Sequence, residues 1–339
     1  MKFLVTGATG LLGNTIVRAL LAGGDRVRVL SRAGSDSRPL AGLDVETTTG
    51  DVRQVDAVRQ ACTGVDAVIH SAAHMHIGWA QQELHRQINV EGTRHIAEAA
   101  RAAQARLVYV SSINALGLGR LEAPADEETP LPGIVPCPYV LSKRQAEQVV
   151  LDEVSRGLHG MIVNPSLMFG PGDWKPSSGR MLLEVAKGMP LAPTGAANFC
   201  DVRDVAAGCI AAAKRGRPGR RYILGGHNES YMALWQRIAR IAGARPPRYR
   251  MGPIVRFIGS VGGDFWARIT GREGEVNSAI IGLSAQTHCF SSARAESELG
   301  YQSRPLDETL ADTWQWFIEQ GQVGVPPPKG LLAQTAERA

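Results

Sequence analysis

Tyr139-Val140-Leu141-Ser142-Lys143 sets a phenol and an amine four residues apart, on one face if the segment is helical. Ser111 and Ser112 end an apolar run that reads as a strand, Leu107 to Val110. Hydride delivery to a carbonyl needs a proton for the developing alkoxide, and a free phenol, with a pKa of about 10, is a poor acid/base at neutral pH. A nearby ammonium favours the phenolate, and a serine hydroxyl can hold the substrate oxygen beside it. Ser112, Tyr139 and Lys143 therefore form a sufficient set. Alone, Y-x-x-x-K also fits an ordinary amphipathic helix with its Tyr inward and its Lys outward. What favours chemistry is the company it keeps.

That company begins at the N-terminus. Thr6-Gly7-Ala8-Thr9-Gly10-Leu11-Leu12-Gly13 follows the strand-like Phe3 to Val5 and opens a helical pattern from Leu11 to Leu21. Glycines at this spacing allow a tight turn and close approach to a pyrophosphate, and the helix start offers unpaired N–H groups. Thr9, Leu11 and Leu12 join Gly7, Gly10 and Gly13 as expected cofactor contacts. The second strand, Val27 to Leu30, is followed by Ser31-Arg32, where an acid would suit NAD. A guanidinium suits a 2′-phosphate, so Arg32 predicts NADP(H), with NAD(H) as the alternative. Asp51 and Val52 follow the third strand, Val45 to Thr49. Ser71, Ala72 and Ala73 follow the fourth, Ala67 to His70. The Asp51 carboxylate could accept from an adenine amino group or cap the next helix.

Positioning these groups takes repeated β-α-β units, hence a doubly wound parallel sheet. A helix is expected over roughly Gln82 to Ala103, another over Ser142 to Val154, and a strand over Gly160 to Val163. After Pro165, residues 166 to 198 are rich in Gly, Pro and Ser and read as irregular substrate-side structure. Val205 to Lys214 reads as helix, Arg221 to Leu224 as strand, and 231 to 320 mainly as helices. The expected division is a Rossmann domain of 1–165 plus about 199–224, and a smaller, mostly helical lobe of 166–198 plus 225–322. Residues 323–339, with Pro326, Pro327 and Pro328, read as a loose tail.

With 37 basic and 32 acidic residues the formal charge is +5, and no basic run with interleaved aromatics points to nucleic acid. Cys62, Cys137, Cys200, Cys209 and Cys289 form no C-x-x-C pair, which suggests reduced thiols in a cytoplasmic protein without a metal site. Cys137 lies close to Tyr139, and a small buried residue is the simpler reading than a reactive thiol. The N-terminus lacks a continuous signal-peptide core, and no window suits a membrane span. Residues 252 to 269 mix Ile254, Phe257, Phe265 and Trp266 with glycines. They suggest either a helix covering the substrate pocket or a contact with a membrane surface, without stable insertion.

The glycine motif, the Asp51 turn, His70-Ser71-Ala72-Ala73, Asn89-Val90-Glu91-Gly92-Thr93, Ser111-Ser112, Tyr139/Lys143 and Phe199-Cys200-Asp201-Val202-Arg203-Asp204-Val205-Ala206 occur in the order found in extended short-chain dehydrogenases, which the chain resembles to about residue 320. Within them it looks most like the dihydroflavonol-reductase-like branch and the hopanoid-associated sugar epimerases. Asn164-Pro165-Ser166 and Arg221-Tyr222-Ile223-Leu224-Gly225-Gly226 carry that closer likeness. The resemblance implies Tyr139 as acid/base and Lys143 as the group that lowers its pKa and holds the nicotinamide ribose. It implies Ser112, rather than Ser111, as the substrate-orienting serine. Asn89 and Ser166 become cofactor contacts, although Asn89 could equally be a capping or core polar residue. It also suggests a homodimer built on helices that include 82–103 and 140–156.

Sugar-nucleotide enzymes of this type place an Asn where this chain has Leu167, and an Arg where it has His288-Cys289. Arg180, Arg250 and Arg256 could compensate. The substrate side is instead apolar: Met75, Ile77, Trp79, Met168, Phe169 and Trp174, with His74 and Asn114 as polar candidates. The expected activity is a carbonyl–alcohol interconversion on a small hydrophobic substrate. A nucleotide-sugar epimerase or dehydratase with tightly bound cofactor is the alternative, and a non-catalytic NADP(H) sensor the third reading.

Overall fold

In a computed structural model, residues 1–323 apart from Pro132 are described. The tail expected over 323–339 lies outside them from residue 324 on.

The N-terminal half runs β1 (Lys2–Thr6), α1 (Leu11–Ala22), β2 (Arg26–Ser31), β3 (Glu46–Thr49), α2 (Val55–Cys62), β4 (Ala67–His70), α3 (Gln82–His85), α4 (Gly92–Ala102), β5 (Arg106–Val110), α5 (Pro138–Ser155) and β6 (Gly160–Pro165). Then come β7 (Leu167–Phe169), α6 (Gly179–Ala186), β8 (Leu191–Ala192), β9 (Ala196–Asp201), α7 (Val202–Arg215), β10 (Arg221–Leu224), β11 (His227–Ser230) and α8 (Tyr231–Ala242). The chain closes with β12 (Tyr249–Arg250), α9 (Pro253–Thr270), α10 (Ser278–Ala285), β13 (Thr287–His288), α11 (Ala293–Leu299) and α12 (Leu306–Glu319).

Seven parallel strands form the main sheet in the order β3-β2-β1-β4-β5-β6-β10. This is the expected doubly wound Rossmann arrangement. The order reverses between β1 and β4, the crevice where such sheets bind ligands. The central strands β1, β4, β5 and β6 are buried on both faces, as a sheet covered on both sides requires, whereas the edge strand β3 is polar and largely exposed. Phe3, Val5, Val108 and Val163 pack toward Ile16 and Leu20 of α1 and Val205 and Cys209 of α7. Leu4, Leu107 and Ile162 pack the other way, onto Ile96, Ala100, Ala146 and Val150 of α4 and α5. Each such side chain contributes about 1.5–3 kcal/mol by leaving water.

Two segments differ from expectation. Residues 166–198 are not irregular throughout: they hold β7, α6 and β8. β7, β11 and β13 all pair with β9 in a second, four-stranded sheet. The expected boundary at about 199 falls within β9. The helix expected over 82–103 is interrupted by a π-helical stretch, Arg86–Glu91, between α3 and α4. Such widened turns recur at functional sites, and this one carries Asn89.

Candidate active site

Gly7 turns at φ +71°, and a Cβ there would lie 2.7 Å from the Ala72 amide nitrogen. A Cβ at Gly13 would overlap the Gly7 carbonyl oxygen. Side chains are thus excluded from both positions by backbone, which packs the turn tightly against the strand-end loop and the helix start and so shapes the cradle. Gly10 starts α1 in an extended conformation and no side chain caps the helix, so its N-terminal dipole faces the cradle. Leu12 points into the core, leaving only its backbone for a ligand. Thr9 and Leu11 are partly open. Asn14, unmarked in the sequence reading, donates to the Gly10, Leu11 and Gly172 carbonyls and ties the helix start to the loop after β7.

Below the cradle, Thr6 and His70 are register partners on β1 and β4. Thr93 Oγ1 donates to the Asn89 carbonyl, so it accepts from His70 Nε2–H at 3.1 Å. His70 Nδ1 then accepts from Thr6 Oγ1 at 2.7 Å, and Thr6 Oγ1 accepts from the Ala72 amide. Burial holds His70 neutral, its pKa lowered to about 3. The Ser71 hydroxyl donates to the Thr6 carbonyl, and Ala73 is exposed beside it.

At the far end of the crevice Arg32 follows β2, exposed and without an ion pair among the described residues. Asp51 is gripped by Arg53, which donates through its backbone N, Nε and Nη2. That guanidinium, with Arg32 more remote, holds the carboxyl below its usual range despite partial burial. Val52 is buried against Gly92, and its carbonyl faces His95 Nδ1 at 3.0 Å.

The α5 helix begins at Pro138, with Cys137 as N-cap. Cys137 is buried, and its thiol pKa is pushed up by that burial, which makes it inert rather than nucleophilic. Tyr139 and Lys143 are both buried, at 6% and 4% exposure, so neither is the solvated face of an amphipathic helix. Burial raises the Tyr139 pKa, and the Ser112 side chain opposes that shift. Burial lowers the Lys143 pKa to about 8, with Glu147 pulling the other way. Lys143 Nζ donates to the Val110 carbonyl at 2.8 Å and lies 5.2 Å from the Tyr109 ring centroid. Ser112 caps a short turn, Ile113–Ala115, by accepting from the Asn114 amide. Its carbonyl accepts from Asn164 Nδ2, which also donates to Glu147, and Glu147 pairs with Arg221. Among the described residues the Ser111 and Ser166 hydroxyls and Asn164 Oδ1 are buried without hydrogen-bond partners. They stand at the carboxyl edges of neighbouring strands, as groups awaiting a bound ligand would. Cradle, open helix start and orphan hydroxyls together fit a nicotinamide dinucleotide.

Asn89 is a fully engaged bridge. Its Oδ1 accepts from the His74 amide at 2.7 Å, and its Nδ2 donates to the His74 carbonyl and Ser142 Oγ. Ser142 in turn donates to the Tyr139 carbonyl. The side chain implied as a cofactor contact thus joins the loop after β4 to the catalytic helix. The His85 ring lies tilted against His74, with centroids 4.6 Å apart, and 6.2 Å from the Tyr139 ring. Among the described residues no cluster is arranged to hold a metal ion.

Of the substrate candidates, Ile77 packs in the small cluster around Tyr139. Met75 and Trp79 stand exposed on the same loop, with Trp79 Nε1 donating to Ser278 Oγ. Asn114 and Met168 are partly open. Phe169 is not a lining residue: it is fully buried against Phe199 in the lobe core. Trp174 packs edge-on against Trp316 and beneath Arg38, a seam between the lobe and the loop after β2. Arg180 is committed to Glu275, and His288 is buried and neutral, its pKa lowered to about 4. The sequence reading missed Glu273. It accepts from His76 Nε2 and the Trp79 and Ala80 amides and so latches the α9–α10 connection onto the loop after β4.

Known proteins are similar to this chain in sequence and fold. The profile of the family described as "NAD dependent epimerase/dehydratase family" matches residues 3–225. "Sterol demethylase protein B" of Methylococcus capsulatus is 36% identical over 95% of this chain and 100% of its own. "Putative dihydroflavonol 4-reductase" of Synechocystis is 34% identical over 95% and 96%. The crystal structure of gox2253 superposes with a TM-score of 0.82 at 37% identity, covering 95% of this chain and 99% of that one. With its glycine cradle and buried Ser-Tyr-Lys set, the chain belongs to the NAD-dependent epimerase/dehydratase family, as an NAD(P)-dependent oxidoreductase of the extended short-chain dehydrogenase type.

Proposed function

We propose that the enzyme interconverts a carbonyl and an alcohol on a small hydrophobic substrate, using NADP(H), with Tyr139 as acid/base. The observation that carries this is the Tyr139 phenol buried beside Ser112 and one helical turn from the buried Lys143. The dinucleotide supplies the hydride that reaches the carbonyl carbon. Tyr139 Oη gives its proton to the oxygen as the C=O π bond becomes C–O–H. Ser112 Oγ holds that oxygen in place. Lys143, charged below a pH of about 8, stabilises the phenolate left behind. Oxidation runs the same transfers backwards.

The apolar wall by Tyr139, formed by Ile77, Ile134, Ala279 and Leu283, supports a hydrophobic substrate. A nucleotide sugar needs diphosphate ligands, but Leu167 is apolar and His288 is buried and uncharged. Unpaired Arg32 supports NADP(H) over NAD(H). Five buried free thiols suit a cytoplasmic location.

The test is NADPH oxidation across hydrophobic ketones, aldehydes and nucleotide sugars, with Tyr139→Phe as control. Turnover of hydrophobic carbonyls that stops in the control is expected. Activity on nucleotide sugars alone, without net NADPH loss, would contradict the reading. KM for NADPH should lie below that for NADH, and an equal or higher value would remove the assignment of Arg32.

A further inference from the structure

Helix α9 is built inside out. An amphipathic surface helix normally turns its apolar stripe toward the core. Here the small residues face inward. A Cβ on Gly259 would meet Ile281 of α10 at 3.0 Å, and one on Gly263 would overlap the Val276 carbonyl. The bulky residues face outward: Ile254, Phe257, Ile258, Phe265, Trp266 and Ile269 are each 62–74% exposed, and no residue of the helix is buried. Ile254, Ile258, Val261, Phe265 and Ile269 recur three or four positions apart, so they form one stripe along the helix. The α10 helix lies beneath, and it is Ala279 and Leu283 of α10 that pack near Tyr139. The cover over the catalytic helix is therefore α10, and α9 rides outside it.

The unengaged charges around the stripe are basic, because Glu273 and Glu275, which follow Arg272, are taken up by His76 and Arg180. Residues 245 to 272 carry Arg245, Arg248, Arg250, Arg256, Arg268 and Arg272 against a single acid, Asp264, which is occupied by the Ser278 amide. Among the described residues none of these six arginines makes an ion pair. Arg256 Nε is buried without a partner in the groove between α9 and α10. Tyr249, 66% exposed, and Trp266 have the amphipathic rings that favour a bilayer headgroup region.

We infer that α9 docks the enzyme on an anionic lipid surface, lying in the interfacial plane with its stripe in the acyl boundary and the exposed Arg245, Arg248, Arg250, Arg268 and Arg272 among the headgroups. No helix among the described residues is long and apolar enough to cross a membrane, so the contact is peripheral. A second copy is a poorer occupant. Two-fold pairing through the same face would set one unpaired arginine group against its twin. The inference stands apart from the proposed reductase activity.

The test is co-sedimentation of the full chain with vesicles of phosphatidylcholine alone or with about one third phosphatidylglycerol, beside light scattering for oligomeric state. Wild type should bind the anionic vesicles and lose at least about tenfold in affinity on neutral vesicles. Phe265→Ser with Trp266→Ser should cost at least about tenfold on anionic vesicles while leaving the circular dichroism melt unchanged. Arg268→Glu with Arg272→Glu should weaken binding similarly while sparing the stripe. Absence of vesicle binding would overturn the inference. So would equal binding of wild type and the Phe265/Trp266 variant, or a dimer that this variant converts to monomer without any vesicle binding.

Discussion

The crevice between β1 and β4 and the outer helix α9 are opposites within one chain. At the crevice, glycines sit where backbone presses on backbone, and the threonine–histidine chain pairs each of its donors inside the protein. Apolar side chains there are buried, and what is left unpartnered is a few hydroxyls and an uncapped helix start. On α9, glycines again mark close packing, but the apolar side chains point out and the charges go unpaired. The first region is explained by its neighbours in the fold plus one polar ligand. The second has little to do for the fold. Stability and chemistry should therefore respond sharply to changes in one and hardly at all to changes in the other.

The largest effect expected is on turnover: Tyr139→Phe should lower kcat by about 10²–10⁴-fold, while thermal stability and NADPH binding change little. A comparable loss of stability instead would make Tyr139 a packing residue. Gly13→Val forces a side chain into the Gly7 carbonyl. It should cost about 3 kcal/mol in denaturant unfolding and abolish the upward Tm shift produced by NADPH. Thr93→Val leaves His70 Nε2–H without its acceptor. A cost of about 1–3 kcal/mol is expected, unchanged between about pH 5 and 8 because His70 stays neutral throughout. The pH dependence of reduction should follow Lys143. Its ammonium is complete below its lowered pKa of about 8 and is lost above it, so the rate should fall as pH rises through that value. A rate flat to about pH 10 would show that the ammonium is not needed. The smallest effect sharpens the contrast: Phe265→Ser on α9 should change unfolding free energy by no more than about 0.5 kcal/mol.

What the sequence made legible follows from distance along the chain. The glycine cradle, the strand-end serines and the Tyr139–Lys143 spacing are local patterns, each readable within about ten residues. The parallel sheet follows from alternation of strand and helix. Asn89 was visible as a polar residue in a helix, but its bridging role depends on His74 and Ser142, which only folding brings together. The π-helical turn that aims it has no sequence signal in a pattern read at 3.6 residues per turn. The second sheet was missed because its strands are short and β9 pairs with partners on three separate segments. The Glu273 latch joins residues nearly two hundred positions apart. Phe169 and Trp174 looked like pocket aromatics because composition does not distinguish a lining residue from a core one.

The central claim is that Tyr139 protonates a carbonyl while hydride leaves the reduced cofactor. The most direct measurement is a mass-spectrometric count of deuterium carried from 4-deuterated NADPH, in the transferable configuration, into the product of a hydrophobic ketone or aldehyde. One deuterium on the carbinol carbon for each NADPH consumed, absent with Tyr139→Phe, is the result this account predicts. A product isomeric with its substrate, with NADPH undiminished, would contradict it.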